Sequence, residues 1–155
     1  MPSAWDVELA RTIIDRHLDL EGPVLPILHA LQETFGCVPR DAAPLVAEAL
    51  NLSRAEVHGV ISFYHDFKSA PAGRRTVKVC RAEACQAMGG EAAGRALLTA
   101  LGLDWGQTTT DGAVTVEAVY CLGLCAVAPS ALIDGEVHGR LDAARLVALA
   151  LETGR

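Results

Sequence analysis

Thr76-Val77-Lys78-Val79-Cys80-Arg81-Ala82-Glu83-Ala84-Cys85 and, across a gap of thirty-five residues, Cys121-Leu122-Gly123-Leu124-Cys125 are the two stretches that decide the reading of this chain. The second is preceded by Val114-Thr115-Val116-Glu117-Ala118-Val119, so each cysteine pair follows an apolar, β-branched run that reads as a strand. Both pairs, C-x4-C and C-x3-C, are therefore expected in loops at the C-terminal ends of strands, where a rigid sheet can hold them side by side. The fifth cysteine, Cys37, lies well outside this spacing, which leaves Cys80, Cys85, Cys121 and Cys125 as one set. Four thiolates in two short loops are the ligand complement of an iron–sulfur cluster of the [2Fe–2S] or [4Fe–4S] type. We read a [2Fe–2S] site.

Structural zinc also takes four cysteines and stays open as an alternative, although its middle segment is usually shorter. Disulfides need an oxidising compartment, and Met1-Pro2-Ser3-Ala4-Trp5-Asp6 carries neither the basic nor the apolar region of an export signal. A thioredoxin-type redox pair needs C-x-x-C, which neither pair has.

The 155 residues suffice for one ordinary domain or two small ones. They are 51% hydrophobic with few aromatics, so the core is expected to be built from aliphatic side chains. A net charge of −6, from 13 basic against 19 acidic residues, argues against a nucleic-acid surface, which would be basic. No apolar run approaches the roughly eighteen residues that span a bilayer. The expectation is a soluble, cytoplasmic chain with no direct membrane contact.

Up to about residue 70 the punctuation is helical. Ser3 and Asp6 can start a helix, and Val7, Ile13, Ile14 and Leu18 form a loose stripe that stops near Gly22-Pro23. A second helix is predicted from Val24 to Phe35, ended by Gly36. Asp41 can cap a third through Leu45, Val46 and Leu50. Ser53-Arg54-Ala55-Glu56 matches the capping box of a fourth, which carries Val57, Val60, Ile61 and Tyr64. After Lys68-Ser69-Ala70-Pro71-Ala72-Gly73 the period changes to alternation. Strands are predicted over 74–80 and 113–120, with a helix over 90–103 between them. Ala131-Leu132-Ile133 and Glu136-Val137-His138 flank the hairpin dipeptide Asp134-Gly135, and Asp142 caps a last helix. The expected fold is α+β: an N-terminal helical bundle (1–70) that serves as a partner-docking module, followed by a thioredoxin-like domain (74–155).

Val79-Cys80-x4-Cys85 together with Cys121-Leu122-Gly123-Leu124-Cys125-Ala126-Val127-Ala128-Pro129 resembles the thioredoxin-like [2Fe–2S] ferredoxin family, the 24-kilodalton subunit of respiratory complex I and its relatives in hydrogenases and formate dehydrogenases. Phe35-Gly36-x-Val38-Pro39 and Val57-x-x-Val60-x-x-Phe63-Tyr64-x-x-Phe67 are similar to that family's N-terminal patterns. Within it, the loop from Cys80 to Gly89 looks most like the gamma subunit of a cytoplasmic, molybdenum-dependent, NAD-linked formate dehydrogenase, and a C-terminus at Arg155 suits the smaller members. The resemblance implies one [2Fe–2S] cluster bound by Cys80, Cys85, Cys121 and Cys125. It also implies a flavin-containing NAD(H)-binding partner subunit, a molybdenum-containing formate dehydrogenase catalytic subunit, and no catalytic residue in this chain. Equivalent subunits of complex I or of a NAD-reducing hydrogenase, a free-standing ferredoxin, and a zinc-stapled interaction module remain as other readings.

Adding one electron to such a cluster makes an already anionic core more negative. Backbone N–H groups aimed at the sulfurs are the usual answer, and Gly89 and Gly123 are expected to allow a close backbone approach there, with a plain turn role as the alternative for Gly123. A plant-type environment would give a potential on the order of −400 mV. Cys37 reads as a small buried hydrophobe. His58 and His65 can line a partner surface near Phe63, Tyr64 and Phe67, or be ordinary surface histidines. Pro129 can be a cis-proline beside the site or a trans turn proline, and Glu83 reads as solvated.

Overall fold

Asp6 opens the first helix, α1 (Val7–Asp15), by accepting hydrogen bonds from the Glu8 and Leu9 N–H groups at 2.9 and 3.1 Å. The computed structural model that shows this describes residues 3–152; Met1, Pro2 and the stretch 153–155, on which part of the reading of both chain ends rests, lie outside it. Ala10, Ile13 and Ile14 form the buried face of α1, the i, i+3, i+4 pattern of an amphipathic helix. The helix does not continue toward Gly22: it stops at Asp15, and Val7 and Leu18 of the expected stripe are exposed. Asp15, Asp19 and Glu21 would put negative charge at the negative end of a longer helix, and the chain instead makes tight turns through His17 and Leu20.

Helix α2 (Val24–Phe35) buries Ile27, Leu28, Leu31 and Phe35 and ends at Gly36, whose φ of +76° is a left-handed cap that favours glycine. Helix α3 (Ala42–Leu50) follows. Asp41 precedes it in a helical conformation and makes no capping bond, because a capping side chain needs extended backbone; the Ala42 N–H instead closes a turn on the Pro39 carbonyl at 2.9 Å. Helix α4 (Arg54–Phe63) carries the complete capping box, with Ser53 and Glu56 each bonding the other's backbone N–H. The four helices share an aliphatic core built on Ile14, Ile27, Leu28, Leu31, Val46 and Val57, with Trp5 edge-on to Phe35.

The chain divides into two compact units after Pro71. In the second unit, β1 (Arg75–Cys80), α5 (Glu83–Ala87), α6 (Gly90–Leu101), β2 (Val114–Val119), β3 (Ala131–Ile133), β4 (Glu136–His138) and α7 (Ala143–Leu151) follow in order. The sheet order is β2-β1-β3-β4, parallel between β1 and β2 and antiparallel elsewhere. Parallel pairing requires a crossover, which α5 and α6 supply. Alternation sets the faces: Val77, Val79, Val114, Val116, Ala131 and Ile133 meet Ala93 and Leu97 of α6 and Leu146 and Ala150 of α7. Lys78 and Glu117 alternate to the other face and pair across strands at 3.9 Å. Asp134 and Gly135 turn β3 into β4 with φ of +50° and +88°, the geometry of a type I′ hairpin. Asp142 caps α7 through the Arg145 N–H at 2.7 Å. Helical bundle and mixed sheet together make an α+β fold.

Each unit holds one tryptophan, Trp5 in the first core and Trp105 in the second. In a Trp5→Phe background, Leu97→Ala is expected to lower the stability reported by Trp105 fluorescence by about 2–5 kcal/mol, the range for emptying a buried leucine site. An unmoved denaturation midpoint would contradict the packing described for α6.

Candidate metal centre

The parallel register of β1 and β2 sets Cys80 opposite Val119, so both strands end at the same sheet edge. Cys80 is the last residue of β1, and its N–H donates to the Ser130 carbonyl at 3.0 Å. Cys85 is not in a loop as expected. Ala82 is extended, and Glu83-Ala84-Cys85-Gln86-Ala87 then forms the short helix α5, because this alanine-rich stretch is a good helix former. Cys121 is the second residue after β2, and Cys125 begins a single 3-10 turn. Cys80 and Cys85 are buried, at 3% and 2% exposure, whereas Cys121 and Cys125 are exposed.

Their sulfurs interact. The Cys121 and Cys125 Sγ atoms are 3.8 Å apart, and the Gly123 N–H points at Cys121 Sγ at 3.4 Å. Burial pushes the Cys80 thiol up, but the Ala82 N–H, the Cys85 thiol and the Cys121 and Leu122 N–H groups together hold it below its ordinary range. Cys125 is pushed the other way, first by its hydrogen bond and charge contact with Cys121, then by burial and by the more distant charges of Cys85 and Cys80. A thiolate at Cys125 is thus resisted by its neighbours, an electrostatic situation that a bound cation resolves.

Cys121 adopts φ +83°, a left-handed conformation that is costly for a non-glycine residue. Gly123 (φ +76°) and Gly89 (φ +88°) also need positive φ, but a Cβ at either would meet nothing within 4 Å. Gly123 brings its N–H to the Cys121 sulfur, as expected, and its positive φ serves the turn that does so; at Gly89 the positive φ precedes α6. A close approach of backbone to backbone lies at Gly90, where a Cβ would be 2.6 Å from the Cys85 carbonyl oxygen. In the sequence Gly90 reads only as the first residue of the predicted helix over 90–103, with nothing to mark this contact. Ser130, buried at 2% exposure with its Oγ 3.5 Å from Cys85 Sγ, is the other residue that sequence reasoning misses; its only sequence signal is its place just after the cysteine loop and Pro129. The Ala128–Pro129 peptide bond is cis.

The remaining candidates stand apart from the sulfurs. Cys37 belongs to the first unit, where it is buried and its thiol is pushed up by that burial. His58 and His65 are exposed, as is Glu83. Phe63 is 72% exposed, and Tyr64, which caps α4 rather than extending its face, is half-exposed.

The donor set is that of a thiophilic metal centre. Two sulfurs about 2.3 Å from one tetrahedral metal lie about 3.8 Å apart, which matches Cys121 and Cys125. Yet no three His, Cys, Asp or Glu side chains among the described residues are placed to hold a single metal ion. Zinc needs four donors about one point, while a two-iron centre divides four thiolates into two pairs. An all-sulfur set split into a buried and an exposed pair fits the second arrangement.

A mixed sheet with an all-cysteine site at the edge where β1 and β2 end defines an iron–sulfur carrier of thioredoxin-like architecture. The chain belongs to the thioredoxin-like [2Fe–2S] ferredoxin family, whose model matches residues 10–153, and the cofactor of that family is a [2Fe–2S] cluster. It is 38% identical over 134 residues to an NADH-quinone oxidoreductase subunit of Rhizobium meliloti, covering 86% of this chain and 80% of that one. It is 33% identical over 121 residues to a subunit of the NADP-reducing hydrogenase of Solidesulfovibrio fructosivorans, covering 78% and 71%. Among solved structures, a NAD+-reducing [NiFe]-hydrogenase in the air-oxidised state superposes with a TM-score of 0.69 at 31% identity. That match covers 82% of this chain and 22% of the other, so the chain spans about a fifth of the length of the structure it resembles.

Gly90→Ala is expected to displace the Cys85 backbone, costing about 1–3 kcal/mol in stability and lowering the iron bound after reconstitution. Full loading with an unmoved unfolding midpoint would show that the space at Gly90 is not needed.

Proposed function

We propose that this chain is an electron-transfer subunit whose [2Fe–2S] cluster is bound by Cys80, Cys85, Cys121 and Cys125 and exchanges single electrons with the flavin of an NAD(H)-binding partner subunit. The observation that carries the reading is the pair-wise grouping of the four sulfurs at one sheet edge, two buried and two exposed. When bound, the cluster supplies one-electron chemistry beside a partner that moves two electrons as hydride. The chain's own residues hold and insulate it. The Ala82, Cys121, Leu122 and Gly123 N–H groups face sulfur, Ala128 closes the apolar side around the inner pair, and the exposed outer pair leaves a short path to a partner.

The helical unit is the docking module in this reading, with exposed Phe63 and Tyr64 flanked by His58 and His65. Nothing in the charge balance suits a nucleic acid. No helix among the described residues is long and apolar enough to cross a membrane. A cytoplasmic complex is part of the same reading.

For the host complex we favour a molybdenum-dependent, NAD-linked formate dehydrogenase, on the resemblance of the loop from Cys80 to Gly89. A complex I or hydrogenase assembly is the second reading, supported by the relatives named above. Isolation of the tagged chain from its native host without oxygen decides between them. Formate-dependent NAD reduction, with co-purified flavin and molybdenum subunits, is the expected result. NADH oxidation coupled to quinone or hydrogen, without formate activity, would move the chain to the second reading.

Serine in place of any one of the four ligand cysteines is expected to cut iron and sulfide loading or shift the magnetic resonance spectrum of the reduced state. Cys37→Ser is expected to leave both as they are. A Cys121→Ser chain with unaltered loading and spectrum would refute the ligand assignment.

A further inference from the structure

Ser130 is a buried polar residue whose side chain the ligand set leaves unexplained. Its carbonyl accepts the Cys80 N–H at 3.0 Å, and its Oγ lies 3.5 Å from Cys85 Sγ, so one residue touches both inner cysteines. Cys85 Sγ is the partner found for that hydroxyl among the described residues, and a buried hydroxyl left unpaired is destabilising. A metal-bound cysteine is a thiolate and has no proton to give, which fixes the direction: the Ser130 O–H donates and the Cys85 sulfur accepts.

With the thiols ionised, as metal binding requires, the other donors at these sulfurs are backbone groups: Ala82, Cys121 and Leu122 at Cys80, and Gly123 at Cys121. They persist whatever side chain their residue carries. The exposed Cys121 and Cys125 can also take hydrogen bonds from water, whereas Cys85 sits in a pocket formed with Cys80, Ala128 and the partly buried Ala82, Ala84, Val119 and Leu122. Ser130 therefore supplies a side-chain hydrogen bond where water has little access.

We propose that Ser130 is a positioning residue that raises the cluster's reduction potential by donating a hydrogen bond to the Cys85 thiolate. This rests on the assignment of Cys85 as a ligand. Reduction adds one negative charge to the iron and its sulfurs, and a donor fixed in an apolar setting stabilises the more negative state more than the other. The hydroxyl thereby favours the reduced form.

The test is a redox titration of full-length, cluster-loaded Ser130→Ala followed by optical and magnetic resonance spectra. At a fixed applied potential, the reduced-to-oxidised ratio is expected to fall about three- to tenfold, which is a downward shift of about 30–60 mV at 59 mV per tenfold for one electron. The iron–sulfur stretching frequencies should shift with it while iron and sulfide content stay at wild-type values, and Ser130→Thr, which keeps the hydroxyl, should restore the potential. An unchanged potential in the loaded alanine variant overturns the proposal and leaves the ligand assignment intact. Should Ser130→Ala not load, the isosteric pair Ser130→Thr and Ser130→Val makes the same comparison: a higher potential for threonine supports the role, and equal potentials overturn it. A wild-type chain that binds no cluster overturns the ligand assignment itself.

Discussion

Like charges held close together repel, and cysteine sulfurs gathered where β1 and β2 end, two of them buried, raise that problem. The second unit is arranged around its solution. Parallel pairing of β1 with β2 brings two strand ends to the same edge, and the turns that leave those ends present N–H groups toward sulfur. The left-handed backbone at Cys121 follows from the same need, since it lets two consecutive amides face Cys80. Strain at that residue is offset by the hydrogen bonds it makes possible.

Packing then differentiates the two pairs. Cys80 and Cys85 are walled in by small residues, and Gly90 lets α6 start directly against the Cys85 carbonyl. Cys121 and Cys125 sit on a loop at the surface. Trp105 adds a further brace near the first loop: Arg81, the residue after Cys80, lies over its ring at 4.9 Å and pairs with Glu91 of α6 at 3.1 Å, while Gly94 makes room for the indole.

Much of this fold is legible in the amino-acid order because its signals are local. The span of α2, its glycine cap, the capping box at Ser53 and the Asp-Gly hairpin each depend on a few adjacent residues. The grouping of four cysteines is legible from spacing plus the strands before each pair. What local signals cannot show is set by neighbours distant in sequence or by backbone angle. Asp41 fails to cap because its own φ and ψ are helical, and α1 stops where acidic residues gather at its negative end. Cys85 joins a helix because the alanines around it win over the loop. Gly90 and Ser130 matter only once α6 and β3 have come to rest beside the sulfurs, a condition that no window of adjacent residues encodes.

The contrast between a sealed and an open sulfur pair also bears on how the protein is made. The two pairs are separated by thirty-five residues, so no complete binding site exists until β2 has closed a long loop onto β1, a step opposed by chain entropy. Once the sheet has formed, Cys80 and Cys85 are buried among Ala82, Ala84, Val119, Leu122 and Ala128, while Cys121 and Cys125 stay at the surface. A thiol reagent added to the folded, cluster-free chain accordingly finds Cys121 and Cys125 open to it and Cys80 and Cys85 shielded.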